Sequence, residues 1–171
     1  MNKVPILLLI VLMLTCCKET VNKIIIDDKT GSPMLVGITE RSAFELSDFS
    51  EWYNSEYNNY EPDEFILEQI LELSDSLDIQ IFMGTWCSDS RREVPRFLKL
   101  MDRINFGNGK LQIINVDREK KSPTHEERGK NIEFVPTFIF NRNEVELGRI
   151  IEFPIITLES DMLDVLLGID T

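Results

Sequence analysis

The chain has 171 residues, 43% of them apolar and 28% charged, enough for one globular domain with a modest core. That composition excludes a disordered polymer, a collagen-like repeat and a multi-span membrane protein. Eighteen Lys and Arg against thirty Asp and Glu leave a formal net charge of −12, which repels phosphate backbones and disfavours nucleic acid as a partner.

Three cysteines, Cys16, Cys17 and Cys87, are too few for a disulfide framework. At the N-terminus Asn2 and Lys3 precede an apolar run, Val4 to Leu14, and Thr15-Cys16-Cys17 follow. A helix of that length reaches about 16 Å, roughly half a bilayer core. The pattern predicts an export signal rather than a membrane span. Leu14-Thr15-Cys16-Cys17 resembles a lipobox, where bacterial lipoproteins are cleaved and their new N-terminal cysteine is acylated. Leu14, three residues before it, favours Cys17 as the lipidated residue, with Cys16 as the runner-up and an ordinary secretory signal as the plainer alternative. The resemblance implies a signal peptide over 1–16, a tether over 17–33 and a domain over 34–171. It also implies membrane anchoring through two or more acyl chains and an address in the bacterial cell envelope, facing the periplasm or on the outer membrane. Cys87 is then the single free thiol.

Along the rest of the chain, Gly31-Ser32-Pro33 marks entry to the domain, and Met34–Thr39 reads as a strand. Residues 40–61 read as helical, with Phe49, Tyr53, Tyr57 and Tyr60 forming a stripe that suits core packing with a wet rim, or alternatively a peptide groove. Pro62 permits a new helix with Ile66, Ile70, Leu73 and Leu77 on its apolar face. Ile79–Met83 reads as a buried strand, Ser88–Ile104 as a helix and Leu111–Val116 as a strand. Thr137–Phe140 and Val145–Ile151 flank Asn141-Arg142-Asn143, a hairpin signature. Thr157 can cap a last helix that Gly168 ends. The order predicts a mixed α/β domain, a central sheet covered by helices on both faces, with an N-terminal helical extension. Residues 40–78 hold twelve acidic side chains and one basic, Arg41, which reads as a solvated face or a docking surface for a basic partner.

The chemistry gathers at Gly84-Thr85-Trp86-Cys87-Ser88-Asp89-Ser90, where a strand runs into a helix. A cysteine there meets the free amides and the positive end of the helix dipole, both of which favour thiolate over thiol. Arg91 and Arg92 add positive charge one turn on. An inert buried cysteine fits poorly with so polar a continuation.

At these residues the chain resembles the thioredoxin superfamily, over about residues 34–167. Trp86-Cys87 matches the Trp-Cys that opens the family's redox site. Pro95, eight residues on, matches the proline of its active-site helix. Leu111–Asp117 resembles its central strand, and Val135-Pro136-Thr137 its cis-proline loop. The resemblance implies that Val135 backbone groups lie beside the Cys87 sulfur and that Trp86, Val135 and Pro136 line a groove for an extended substrate segment. In the family the site reads Cys-x-x-Cys. Here Ser90 stands at the second position, and Ile81 stands where many thioredoxins bury an acid. Both departures argue against a dithiol reductase or oxidase, which needs a second thiol to expel the substrate and close the disulfide, as a hydroxyl cannot. Ser90 is expected to donate a hydrogen bond to the Cys87 thiolate.

What the resemblance then implies is one-cysteine redox chemistry, with Cys87 and Ser90 as the catalytic pair. Such a monothiol protein would perform isomerase-like or mixed-disulfide-reducing thiol–disulfide exchange. Its partners would be protein or peptide thiols and disulfides, an external resolving thiol and the membrane through its lipid anchor. The alternative is a non-catalytic binding module of the same fold. No cofactor is implied, and no His, Cys and carboxylate set has metal-ligand spacing. His125, the one histidine, reads as an exposed loop residue, and Gly107-Asn108-Gly109 as a turn rather than a phosphate loop. Glu152 and Pro154 stand where many thioredoxins have a glycine near the groove.

Overall fold

The computed structural model describes residues 21–107 and 110–169. The expected signal peptide, with Cys16 and Cys17, and Asn108 and Gly109 lie outside the described residues. Six strands make one mixed sheet: β1 (Lys23–Ile26), β2 (Pro33–Thr39), β3 (Leu77–Met83), β4 (Leu111–Asn115), β5 (Thr137–Arg142) and β6 (Val145–Ile151). Their spatial order is β1-β2-β4-β3-β5-β6. Only β3 and β4 are parallel, and the other neighbours pair antiparallel. The four α-helices are α1 (Ser50–Asn59), α2 (Glu64–Leu73), α3 (Ser88–Arg103) and α4 (Leu158–Leu167), with a 3-10 turn at Arg41–Glu45 before α1.

Strand alternation sorts the side chains of β3. Leu77, Ile79, Ile81 and Met83 face the main core, while Phe82 faces the other way. The central layer of that core is Phe97 of α3, whose ring lies 4.7 Å from Phe138 and 6.0 Å from Phe140 of β5. Tyr53 of α1, Leu67 and Ile70 of α2, and Leu158 and Met162 of α4 join the same core. The expected cover of helices on both faces is therefore corrected, because the buried side chains of all four helices lie on one face.

The opposite face carries a smaller cluster of Phe82, Ile114, Val116, Val135 and Ile139, with Ile132 packed on it. Residues 117–134 cover it without a helix. Their short polar side chains bond local amides instead of leaving the backbone to itself. Asp117 accepts from the N–H of Glu119 and Lys121, and the Ser122 amide donates to Glu127. Lys120, His125 and Asn131 adopt left-handed φ values of 57°, 64° and 54°, which no helix accommodates.

The ordered sheet begins upstream of the expected domain start, at Lys23 within the expected 17–33 tether. Ile24-Ile25-Ile26 is a β-branched run closed by the Asp27–Gly31 turn, where Gly31 takes φ 72° and its N–H donates to Asp27 O at 2.7 Å. The helical reading of 40–61 is broken at Leu46, whose ψ of 147° is extended. Asp63 caps α2 by accepting from the N–H of Phe65 at 2.9 Å, and Thr157 caps α4 by accepting from Ser160 at 3.2 Å. The β5–β6 turn falls on Asn143 and Glu144, with φ values of 51° and 66°, beyond a register shift at Phe140/Asn141.

Part of the acidic stretch 40–78 is neutralised inside the molecule. Arg96 of α3 pairs with Glu56 at 2.7 Å, Lys99 with Glu61 at 3.1 Å, and Arg103 with Glu64. In the aromatic stripe, Phe49 and Tyr53 are buried, while the Tyr57 hydroxyl donates to Asp102 and that of Tyr60 to Glu159.

Candidate functional site

Cys87 ends the β3–α3 turn and stands at the N-cap of α3, in extended backbone at φ −94°, ψ 129°. Its own N–H donates to Gly84 O at 2.9 Å, and its carbonyl takes the first helical bond, from the Arg91 N–H at 3.1 Å. The side chain makes no cap bond to α3. It points across the sheet end, where the thiol donates to Val135 O at 3.2 Å. The Val135–Pro136 peptide bond is cis. Cys87 is half-buried and free.

The turn before it is locked from three sides. Trp86 Nε1 donates to Val116 O at 2.9 Å, so the indole lies back over the end of β4 and over Gly84. A Cβ at Gly84 would sit 2.6 Å from the indole ring. Thr85, fully buried, accepts from the Leu35 N–H at 3.1 Å and ties the turn to β2. Ser90, also fully buried, accepts from the Gly84 N–H at 3.2 Å.

That last bond corrects the role expected for Ser90. Its hydroxyl oxygen turns back to the turn's own amide, and it forms no hydrogen bond with Cys87. Burial explains the choice, since the Gly84 N–H has no water to bond and would otherwise be left unpaired. The charge expected from the two arginines after the site is also redirected. Arg91 Nε donates to Thr85 O, with its guanidinium 5.9 Å from the Trp52 ring, and Arg92 pairs with Asp89 and Glu93.

The cation on the open side of the site is Arg118, which no motif in the sequence marks. It follows β4 and lies over Trp86, its guanidinium 5.0 Å from the ring centroid. Nε and Nη2 donate to the two oxygens of Asp27 at 2.7 and 2.6 Å. Asp27 is buried and takes two further bonds, from Thr30 Oγ1 at 2.7 Å and the Lys29 N–H at 3.1 Å. Arg118 first, then Thr30, holds the Asp27 carboxyl well below the usual carboxylate range. Asp27 in turn raises the Arg118 guanidinium above its ordinary value, and the Cys87 sulfur adds to that. Asp27 and Arg118 are 91 residues apart, so no local pattern in the sequence joins them.

Beyond Pro136, the Glu152 N–H donates to Pro136 O at 2.7 Å, which fixes the segment after β6 beside the site. There Phe153, Ile155 and Ile156 are 57%, 75% and 69% exposed. The buried Asp161 carboxylate holds this segment through the N–H groups of Ile155 at 2.6 Å and Ile156 at 3.1 Å. The structure thus brings Trp86, Cys87, Val135 and Pro136 together, with Ser90 beneath them in a supporting position. His125 is half-exposed in the 117–134 loop, 3.6 Å from Glu127. Among the described residues no three His, Cys, Asp or Glu side chains converge as metal ligands.

No protein-family model and no curated protein matches the chain. Among the solved structures that resemble it are two at low identity. One is a protein of unknown function from Pseudomonas aeruginosa, at 13% identity and a TM-score of 0.49, covering 71% of this chain and 82% of that one. The other is an HIV epitope-scaffold, at 13% identity and a TM-score of 0.43, covering 70% of this chain and 73% of that one.

Proposed function

We propose that this is a thioredoxin-like monothiol protein that performs thiol–disulfide exchange through Cys87, on proteins of a bacterial cell envelope to which Cys17 anchors it. One observation carries the reading: a half-buried free thiol at the N-terminus of α3, 3.2 Å from the carbonyl that precedes a cis proline. The sheet supports it as well. β3 leads through α3 into the parallel β4, and the antiparallel β5–β6 pair and α4 come after, an order in keeping with a thioredoxin-like domain whose 117–134 segment is loop.

The attacking species is the Cys87 thiolate, formed when the thiol gives up the proton that it shares with Val135 O. The Cys87 thiolate attacks one sulfur of a client disulfide, the S–S bond breaks, and the client's other sulfur leaves as thiolate. The products are a Cys87–client mixed disulfide and one client thiolate. With serine at position 90, release comes from outside. A second client thiolate, or a small thiol, attacks the client sulfur and returns Cys87 as thiolate. Attack by another thiolate of the same client rearranges its disulfides without net oxidation or reduction. The exposed apolar segment Phe153–Ile156, fixed beside Pro136, suits clients whose disulfides are flanked by unfolded apolar chain.

Recovery of activity by scrambled ribonuclease in a glutathione buffer tests the proposal. The protein is expected to accelerate recovery and Cys87→Ser to remove the acceleration. Equal recovery with both would overturn catalysis and favour a binding module of the same fold.

A further inference from the structure

Arg118 has a feature that the exchange chemistry alone does not use. Two of its nitrogens are committed to Asp27, and its face to Trp86. Among the described residues Nη1 has no hydrogen-bond partner. The side chain is 30% exposed and lies over Trp86, the residue that precedes Cys87. A guanidinium held on two sides has lost its rotamer freedom in advance, and an anion that meets Nη1 bears little further ordering cost. The Asp27 countercharge cancels most of the long-range field, so what remains is recognition at hydrogen-bond range. The other cations near the site lie elsewhere: Arg91 donates to Thr85 O and lies over Trp52, and Arg92 pairs with Asp89 and Glu93, so Arg118 alone lies over Trp86, the neighbour of Cys87.

We infer that Arg118 is a specificity-determining residue that docks a carboxylate carried by the disulfide or thiol exchanging with Cys87, so that carboxylate-bearing thiols and disulfides are its preferred co-substrates. This rests on the exchange chemistry proposed above. The exchange itself is unchanged: Cys87 sulfur bonds to one sulfur of the anionic disulfide, and the other leaves as a thiolate with its own carboxylate.

The test uses the full chain carrying Cys16→Ser and Cys17→Ser, so that Cys87 is its one thiol. Two probes are compared, dithiobis-nitrobenzoate, which carries carboxylates, and the uncharged dithiodipyridine. The readout is the ratio of their rate constants, which cancels any effect common to both. Arg118→Gln is expected to lower the anionic-to-neutral ratio about three- to tenfold, as the loss of one exposed charge-assisted hydrogen bond implies. Arg118→Lys is expected to restore part of it, since Lys keeps the charge and loses the fork. A ratio unchanged by Arg118→Gln, including the case in which both probes slow equally, would overturn the inference and leave Arg118 a structural residue. Slow reaction of the parent protein with the neutral probe would instead overturn the exchange chemistry, so the two failures read differently.

Discussion

At the scale of single residues, the site depends on small groups that let larger ones approach. Gly84 carries no Cβ because the Trp86 indole occupies the place one would take, 2.6 Å away. Gly84→Ala is therefore expected to push the indole off, break its bond to Val116 O and cost about 1–3 kcal/mol. Tryptophan emission in a Trp52→Phe background, with denaturant unfolding, measures both effects, and unchanged emission would show that the indole does not need this glycine. Ser90 belongs to the same class. Its hydroxyl satisfies a buried amide, a role invisible in the sequence, where Cys-x-x-Ser reads as a lost redox partner whose hydroxyl serves the Cys87 sulfur. Of the residues of the site, the strand-to-helix turn marks Cys87 in the sequence, while Trp86, Val135 and Pro136 stand out through the resemblance to the thioredoxin superfamily. Arg118 and Asp27 escape because their pairing is made only by the tertiary fold.

At the scale of elements, periodicity marks the helices and central strands well, since a buried face leaves a repeat in the sequence. The departures come where turn chemistry competes. Residues 117–134 hold enough Ser, Asp, Glu, Pro and Gly to satisfy their own backbone in turns, so one face of the sheet is covered by loop instead of helix. The β1 strand leaves no such repeat, being four residues long, at the sheet edge and largely exposed. Helix α2 shows how much one terminal residue carries. Asp63 caps two amides and its own N–H meets the buried Glu159 at 3.1 Å. Asp63→Ala is expected to cost about 0.5–2 kcal/mol. Urea unfolding monitored by circular dichroism checks this, and no loss of stability would mean that α2 is held by packing alone.

At the scale of the whole molecule, the charge asymmetry of the sequence is partly a device for internal assembly, with the basic face of α3 meeting acids of α1 and of the segment that enters α2. Such exposed pairs contribute little singly, about 0–1 kcal/mol, but Asp27 and Asp102 are held more firmly. Burial pushes the Asp102 carboxyl up, and the hydrogen bonds from Arg41 and Tyr57 outweigh it and hold it below its usual range. Carboxyls with depressed folded-state values add stability that is present above their unfolded value, about 3.9, and lost as pH falls below it. Thermal unfolding is thus expected to owe no pH dependence to these two groups between about pH 5 and 8 and to fall below about pH 4. Asp27→Asn should lower the midpoint at neutral pH and make the acid decline shallower, whereas an unchanged acid slope would contradict the pairing.

The central claim is that the fold makes Cys87 a nucleophile, and it is tested most directly by comparing the same thiol folded and unfolded. The rate of mixed-disulfide formation with an uncharged model disulfide would be measured at neutral pH, on the native chain and on the chain in urea, with Cys16 and Cys17 replaced by serine. The α3 N-terminus predicts that the native thiol reacts faster than the unfolded one, by about tenfold or more. A native rate equal to or below the unfolded rate would mean that the fold shelters Cys87, and catalysis by thiol–disulfide exchange would be contradicted.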